Sequence, residues 1–185
     1  MNEDLRSLAA DIVARARKHG ADEAEAYIRR GIESTVKVRM QSLEELFEAA
    51  PHSVTVRAFK DHRVAVCHTS EMTPAALDEL ARSAVELASI SEPDEYAGLP
   101  DRADLAPPGA ASALQLYDER VDSLSVDEMK EFALRAEQAA FDLDGRINNS
   151  EGAEYGAQRG EVALANSHGF AGSYPYTIAS LSVSV

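Results

Sequence analysis

Polar and apolar positions alternate along this chain with two different periods. Leu5, Leu8, Ala9, Ile12, Val13 and Ala16 recur at helical spacing. Asn2 is placed to cap this helix. Gly20 follows its last turn, made basic by Arg15, Arg17, Lys18 and His19. The period then drops to two. Ala24, Ala26 and Ile28 alternate with Glu25, Tyr27 and Arg29, Gly31 is expected to turn the chain, and Val36, Val38 and Met40 alternate with Thr35, Lys37 and Arg39. Residues 43–50 (LEELFEAA) are helix formers by composition, but short and closely bracketed, and are read as a strand of the same meander. Val54, Val56 and Ala58 form another strand, Asp61 and His62 a turn, and residues 64–68 the return. Short turns between such runs predict an antiparallel sheet.

Helical spacing returns after Thr73-Pro74, with proline at the first helical position. Leu77, Leu80, Ala81, Ala84, Val85, Leu87 and Ala88 form its stripe. Residues 93–113 hold four of the seven prolines and no periodicity, as a surface linker does. Ser125 and Glu128 make a capping box for a third helix, with Met129, Phe132, Ala133, Ala136, Ala139, Ala140 and Leu143 facing inward and Gly145 ending it. The stretch from Gly145 onward holds β-type runs: residues 147–150 lead in, residues 161–165 form a strand, and residues 165–169 turn. Tyr176 to Val185 is the last strand, with Leu181, Val183 and Val185 on a core-type face and Ser180, Ser182 and Ser184 on the other. Gly152, Gly156 and Gly160 are assigned to turns and bulges between strands.

The expected fold class is therefore α+β: an antiparallel β-sheet with three amphipathic helices packed on it, in two sub-lobes around a Pro-rich linker. The expected boundaries are 1–92 for a helix-sheet-helix lobe, 93–124 for the linker, and 125–185 for a helix plus strands. The last strand ends in mid-alternation without turn or charged tail. We read this as a cut inside or just after a strand of a longer protein, with a strand docked in mid-sheet as the alternative.

Composition narrows the function. A chain of 185 residues, 45% hydrophobic, can bury a sizeable core. The formal net charge of −14 argues against nucleic acid as a partner. No apolar run reaches the ~20 residues of a membrane helix, and the acidic start is no secretory signal. The single cysteine, Cys67, excludes an internal disulfide and fits a reducing compartment.

Candidate chemistry is sparse. His62 and His68 could share a strand face with Cys67 opposite, but neither H-E-x-x-H nor C-x-x-C occurs. His168 sits in an Asn-Ser-His-Gly turn, where a structural role is the default. No G-x-S-x-G is present, the glycines match neither a dinucleotide fingerprint nor a phosphate loop, and pairs such as Glu44-Glu45 carry no specificity in so acidic a chain. No catalytic, cofactor-binding or metal-ligating residue can be named. What the sequence offers is a polar strand face, Ser180, Ser182 and Ser184, beside an edge that could pair with an extended peptide or a partner. Natural edges are usually protected, which favours a reading in which further chain covers it.

Three phrases in order, residues 147–153 (INNSEGA), 165–174 (ANSHGFAGSY) and 180–185 (SLSVSV), resemble the TldD/PmbA family, and are most similar to its PmbA (TldE) branch. Residues 20–27 (GADEAEAY) and 93–100 (PDEYAGLP) resemble that family's earlier segments. The resemblance implies a cytoplasmic protein of more than twice this length, with this chain as its N-terminal domain. It implies a TldD subunit that carries zinc on an H-E-x-x-x-H motif in its C-terminal portion, and a PmbA-type subunit that lacks the motif and joins it in a proteolytic complex. That complex trims extended, unfolded peptides, including leader segments of modified peptide antibiotics. On this reading no cofactor is expected in this chain, zinc belongs to the TldD-like partner, and the full-length protein is an oligomer. The rivals are a stand-alone peptide-binding or assembly module, and the zinc-bearing branch itself.

Overall fold

The computed structural model of the chain describes residues 4–107 and 109–185. Helix α1 spans Leu5–Lys18, strands β1 to β4 span Glu23–Arg39, Ser42–Ala49, His52–Lys60 and Arg63–Thr69, and α2 spans Pro74–Ile90. Two short 3-10 turns interrupt the following segment, at Arg102–Asp104 and Ala110–Leu114. Then come the single turn α3 (Glu119–Asp122), α4 (Val126–Leu143), β5 (Gly152–Asn166) and β6 (Ala171–Ser184). The expected α+β class holds: the six strands form an antiparallel sheet in the order β4-β3-β1-β5-β6, with β2 also paired to β1. The three expected helices are α1, α2 and α4.

The chain folds into two compact units, each built from three separate stretches. One comprises Met1–Arg30, His52–Gln115 and Glu161–Tyr174, the other Gly31–Pro51, Leu116–Gly160 and Pro175–Val185. The expected boundaries at residues 92 and 124 therefore fall inside units, because β1, β5 and β6 each contribute residues to both.

In the first unit the period-two pattern sets the register. Ala24 faces Ala58, Ala26 faces Val56, and Ile28 faces Val54 across the β1–β3 pair, and all six side chains are fully buried against the helices. The alanines on sheet and helices (Ala24, Ala26, Ala58, Ala81, Ala84) let the layers approach closely, so this core is tight and intolerant of added volume. The expected α1 stripe is buried in full. Asp4 caps α1 by accepting the Arg6 backbone N–H, while the expected cap Asn2 lies outside the described residues. Thr73 caps α2, and Leu87, expected in its stripe, is exposed. Arg15 reaches across to the Pro74 carbonyl at 2.8 Å and ties the two helices together. Asp61 and His62 both take positive φ in the β3–β4 turn, as a two-residue hairpin requires.

In the second unit residues 42–49 are indeed a strand. Val36 faces Leu46 and Val38 faces Leu43, with a bulge at Lys37/Val38. Helix α4 covers the face that carries Val38 and Ala153, and the rings of Phe132 and Tyr155 stack with centroids 5.3 Å apart. Its capping box forms as expected, but its buried stripe is Met129, Ala133 and Glu137, whereas Ala139 is exposed and Leu143 is 81% exposed. The inward stripe follows a strict four-residue step, which carries positions 139 and 143 out to solvent.

Two expectations about glycine are corrected here. Gly31 does not turn the chain: β1 runs straight through it. A Cβ at this position would stand 2.6 Å from the Arg159 carbonyl oxygen and 3.3 Å from the Tyr176 hydroxyl, so glycine is needed for close approach, not for a turn. Likewise Gly156 and Gly160 lie within β5, and only Gly152, with φ +121°, takes a backbone conformation that favours glycine.

Candidate functional site

The serine row stands on β6, the last strand in the sheet order. Ser184 presents its backbone toward β5: its carbonyl accepts the Glu151 N–H at 2.9 Å and the Ser150 hydroxyl at 3.2 Å. Strand periodicity then turns the backbone groups of Ser180 and Ser182 the same way and those of Ala179, Leu181 and Val183 outward. At the start of that outward edge, Thr177 donates its N–H to the Leu116 carbonyl at 2.9 Å, and its hydroxyl accepts the Asp118 N–H at 2.9 Å. Beyond this first rung, no hydrogen-bond partner is seen for the outward groups among the described residues.

The serine side chains share the sheet face opposite α4. The Ser180 hydroxyl lies 3.0 Å from where a Cβ on Gly156 would sit, and Thr35 Oγ1 lies 3.9 Å from the same point. Thr35 alternates with the buried Val36, which fixes this face as the one turned away from the helix. Its neighbours are polar: Gln158 donates to Glu33 at 3.1 Å, and Lys37 pairs with Glu44 at 2.7 Å. The hydrogen bond from Lys37 holds the Glu44 carboxyl below its ordinary range and raises the Lys37 ammonium in turn. Ser180, Ser182 and Ser184 are all exposed, so the structure gathers them into one accessible row.

The opposite side of β6 departs from expectation. Leu181 is 48% exposed, Val183 41% and Val185 57%, so the core-type face is uncovered. The physical reason is reach. Helix α4 packs over Val38 of β1 and Ala153 of β5, the inner strands, and no β6 residue belongs to that cluster among the described residues. No charged side chain occurs from Thr177 to Val185. By contrast β2, which pairs only with β1 among the described residues, carries Glu44, Glu45 and Glu48 beside exposed Leu43, Leu46 and Phe47.

Two polar constellations were not foreseen from the sequence. Glu137 is fully buried, and its carboxylate accepts the backbone N–H of Met40 at 2.9 Å, that of Gln41 at 2.7 Å, and the Gln41 side-chain amide at 3.0 Å. Burial presses this carboxyl toward its neutral form. The bonds from Gln41, Ser150 and Met40 outweigh burial and hold it below the usual carboxylate range. Met40 and Gln41 both take positive φ, which costs a non-glycine residue roughly 1–2 kcal/mol. Glu137 compensates by satisfying both amides. A glutamate four residues after Ala133 in an apolar stripe was the available signal. In the first unit, His168 lies between Glu23 and the Pro100 carbonyl; a separation of 145 positions leaves no sequence signal.

The remaining candidates stay apart. His62 lies in the β3–β4 turn, while His68 faces Thr55 and Cys67 faces Val56 within the β3–β4 ladder. Burial pushes the Cys67 thiol up, away from a reactive thiolate. Among the described residues no three His, Cys, Asp or Glu side chains converge as metal ligands. No helix among them is long and apolar enough to cross a membrane.

Two family profiles match the chain: "PmbA/TldA metallopeptidase domain 1" over residues 24–88 and "PmbA/TldA metallopeptidase central domain" over residues 119–185. The chain is 31% identical over 183 residues to a metalloprotease PmbA homolog of Haemophilus influenzae, covering 99% of this chain and 40% of that protein. It is 30% identical over 162 residues to the metalloprotease PmbA of Escherichia coli O157:H7, covering 88% and 35%. It thus spans about two fifths of the length of these relatives. Among solved structures, a Bacteroides thetaiotaomicron protein described as a candidate modulator of DNA gyrase superposes with TM-score 0.82 at 23% identity, over 97% of this chain and 40% of that one. TldE of Thermococcus kodakarensis superposes with TM-score 0.75 at 18% identity, over 94% and 38%. These two likenesses show the fold.

Proposed function

Since the chain belongs to the PmbA/TldD family, we propose that it is the N-terminal domain of a PmbA-type, non-metal subunit of a cytoplasmic metalloprotease complex that trims unfolded or leader peptides. The observation that carries this reading is the identity of 30–31% to two proteins named metalloprotease PmbA, joined to two matched domains of one family. In this role the domain does no bond-breaking chemistry. The zinc and the cleaved bond belong to a TldD-like partner, and this domain shapes the chamber and holds peptide or partner.

The geometry supports a share in holding an extended chain. The outward backbone groups of Ala179, Leu181 and Val183 match the ladder of an added strand, and Ser180, Ser182 and Ser184 flank it with small hydroxyls that tolerate varied side chains. Main-chain pairing selects for extension over sequence, as a peptide-trimming complex requires. Residues 116–118 of the chain itself already hydrogen-bond to this edge at Thr177, which supports the reading.

The test is reconstitution of the full-length protein with a TldD-like subunit from the same source and an unstructured peptide. Cleavage should need both proteins and a metal bound by the partner. Val183→Pro, which cannot accept a paired strand, should lower cleavage while leaving the fold intact. Zinc held tightly by this protein alone, with cleavage unaided, would instead place it in the zinc-bearing branch. Absence of any association with the partner would favour a stand-alone peptide-binding module.

A further inference from the structure

Residues 91–105 cross the surface of the first unit as a strap. Its entry is pinned by backbone: the Asp94 N–H donates to the His62 carbonyl at 2.7 Å, and Arg63 Nε donates to the Ser91 carbonyl at 3.0 Å. Its middle is held differently. The Leu99 N–H donates to Glu23 Oε2 at 2.8 Å, His168 Nε2 meets Glu23 Oε1 at 2.7 Å, and His168 Nδ1 meets the Pro100 carbonyl oxygen at 2.9 Å. Both ring nitrogens therefore face groups that only accept. A neutral imidazole carries one N–H, so one of these contacts would set lone pair against lone pair; an imidazolium donates to both. The ring is itself positioned, since the His168 backbone N–H donates to Asn166 Oδ1 at 3.0 Å and the Ser167 hydroxyl accepts the Ala24 N–H at 3.1 Å.

We propose that Glu23 and His168 form a proton-dependent clasp that fastens the strap at Leu99 and Pro100. With the ring protonated and Glu23 ionised, all three contacts are made. Once the ring gives up a proton, one of its two contacts is lost, and the strap loosens around Leu99 while its entry stays pinned at Asp94. The surrounding charges do not replace the ring. Asp22, beside Glu23, is engaged by Lys60 at 3.2 Å and by the Asp61 N–H at 2.7 Å, and Arg17 donates to the carbonyls of Ala21 and Asp22. On the strap, Asp101 and Arg102 follow Pro100 and are exposed. The proposal stands on geometry within one unit and does not depend on the peptide-trimming role.

The experiment is amide exchange at Leu99 in the isotope-labelled chain at about pH 5.5 and about pH 8.5, either side of an ordinary histidine's titration. Rates are normalised for the intrinsic pH dependence, and side-chain nitrogen shifts of His168 are followed in the same samples. Protection at Leu99 should fall about tenfold toward the higher pH, the worth of one charge-assisted hydrogen bond, while amides of α1 keep theirs. H168Q should show the lower protection at both values. Equal protection in the unmodified chain at both values would overturn the clasp. So would a pH response that survives in H168Q, or an imidazole that stays a single neutral tautomer at about pH 5.5. Should H168Q fail to fold, E23Q and the unmodified chain's own pH response decide.

Discussion

The carboxylate of Glu137 accepts the backbone N–H of Gln41 at 2.7 Å from a residue 96 positions away. Together with the Met40 bond, it lets a hairpin turn without a glycine. Glu137→Ala should leave the Met40 and Gln41 amides without this acceptor and a cavity under the turn, and destabilise the chain by roughly 2–3 kcal/mol, read by denaturant unfolding. Glu137→Gln, which keeps one acceptor, should cost less than the alanine variant. Equal costs would show that the carboxylate's charge and second oxygen contribute nothing.

The same group gives a pH signature. Its folded-state value lies below the ordinary carboxylate range, so its contribution is fully present above the unfolded value of about 4.3 and is lost as pH falls through the lower folded value. The stability gap between the unmodified chain and Glu137→Gln should therefore be flat above about pH 5 and shrink below about pH 4. A gap that widens on acidification would contradict the assigned sign.

Gly31→Ala places a methyl group 2.6 Å from the Arg159 carbonyl oxygen. Because that neighbour is backbone, relief requires strands to shift, and we expect a loss of about 1–3 kcal/mol in thermal unfolding. If Gly31 served only as a turn, alanine at this position would be nearly neutral.

Leu181→Ser combined with Val183→Ser should change stability by no more than about 0.5 kcal/mol, because both side chains are already half exposed. Binding of a hydrophobic dye should fall in the same variant. Val38→Ala, by contrast, removes a fully buried side chain under α4 and should cost roughly 1.5 kcal/mol or more. The contrast separates strand residues that stabilise the chain from those that only look as if they should.

Legibility followed the range of the interactions. The α1 stripe, the Thr73-Pro74 start and the Ser125/Glu128 box depend on neighbours a few positions apart, and the sequence displays such neighbours directly. The strand at residues 42–49 was readable only because flanking strands bracketed it, since its composition favours helix. Gly31 misled because glycine signals both turn and close approach, and the deciding contact is Arg159, 128 positions on. The apolar side of β6 misled for a related reason. Alternation fixes which residues share a face, but not whether anything lies over it. The serine row was readable as a row. The Glu23–His168 and Glu137–Gln41 contacts were not, because each joins residues that only the fold makes neighbours.

The second strand of the β1–β2 hairpin has a colloidal consequence. A strand paired along one edge only among the described residues, and bearing exposed Leu43, Leu46 and Phe47, is a ready template for its own copies. Glu44, Glu45 and Glu48 stand among those side chains, so two such strands brought side by side would press carboxylate against carboxylate, on molecules that each carry a net charge of −14. Mutual repulsion thus acts as insulation on an adhesive surface. It is thinnest at Glu44, where Lys37 already neutralises the charge.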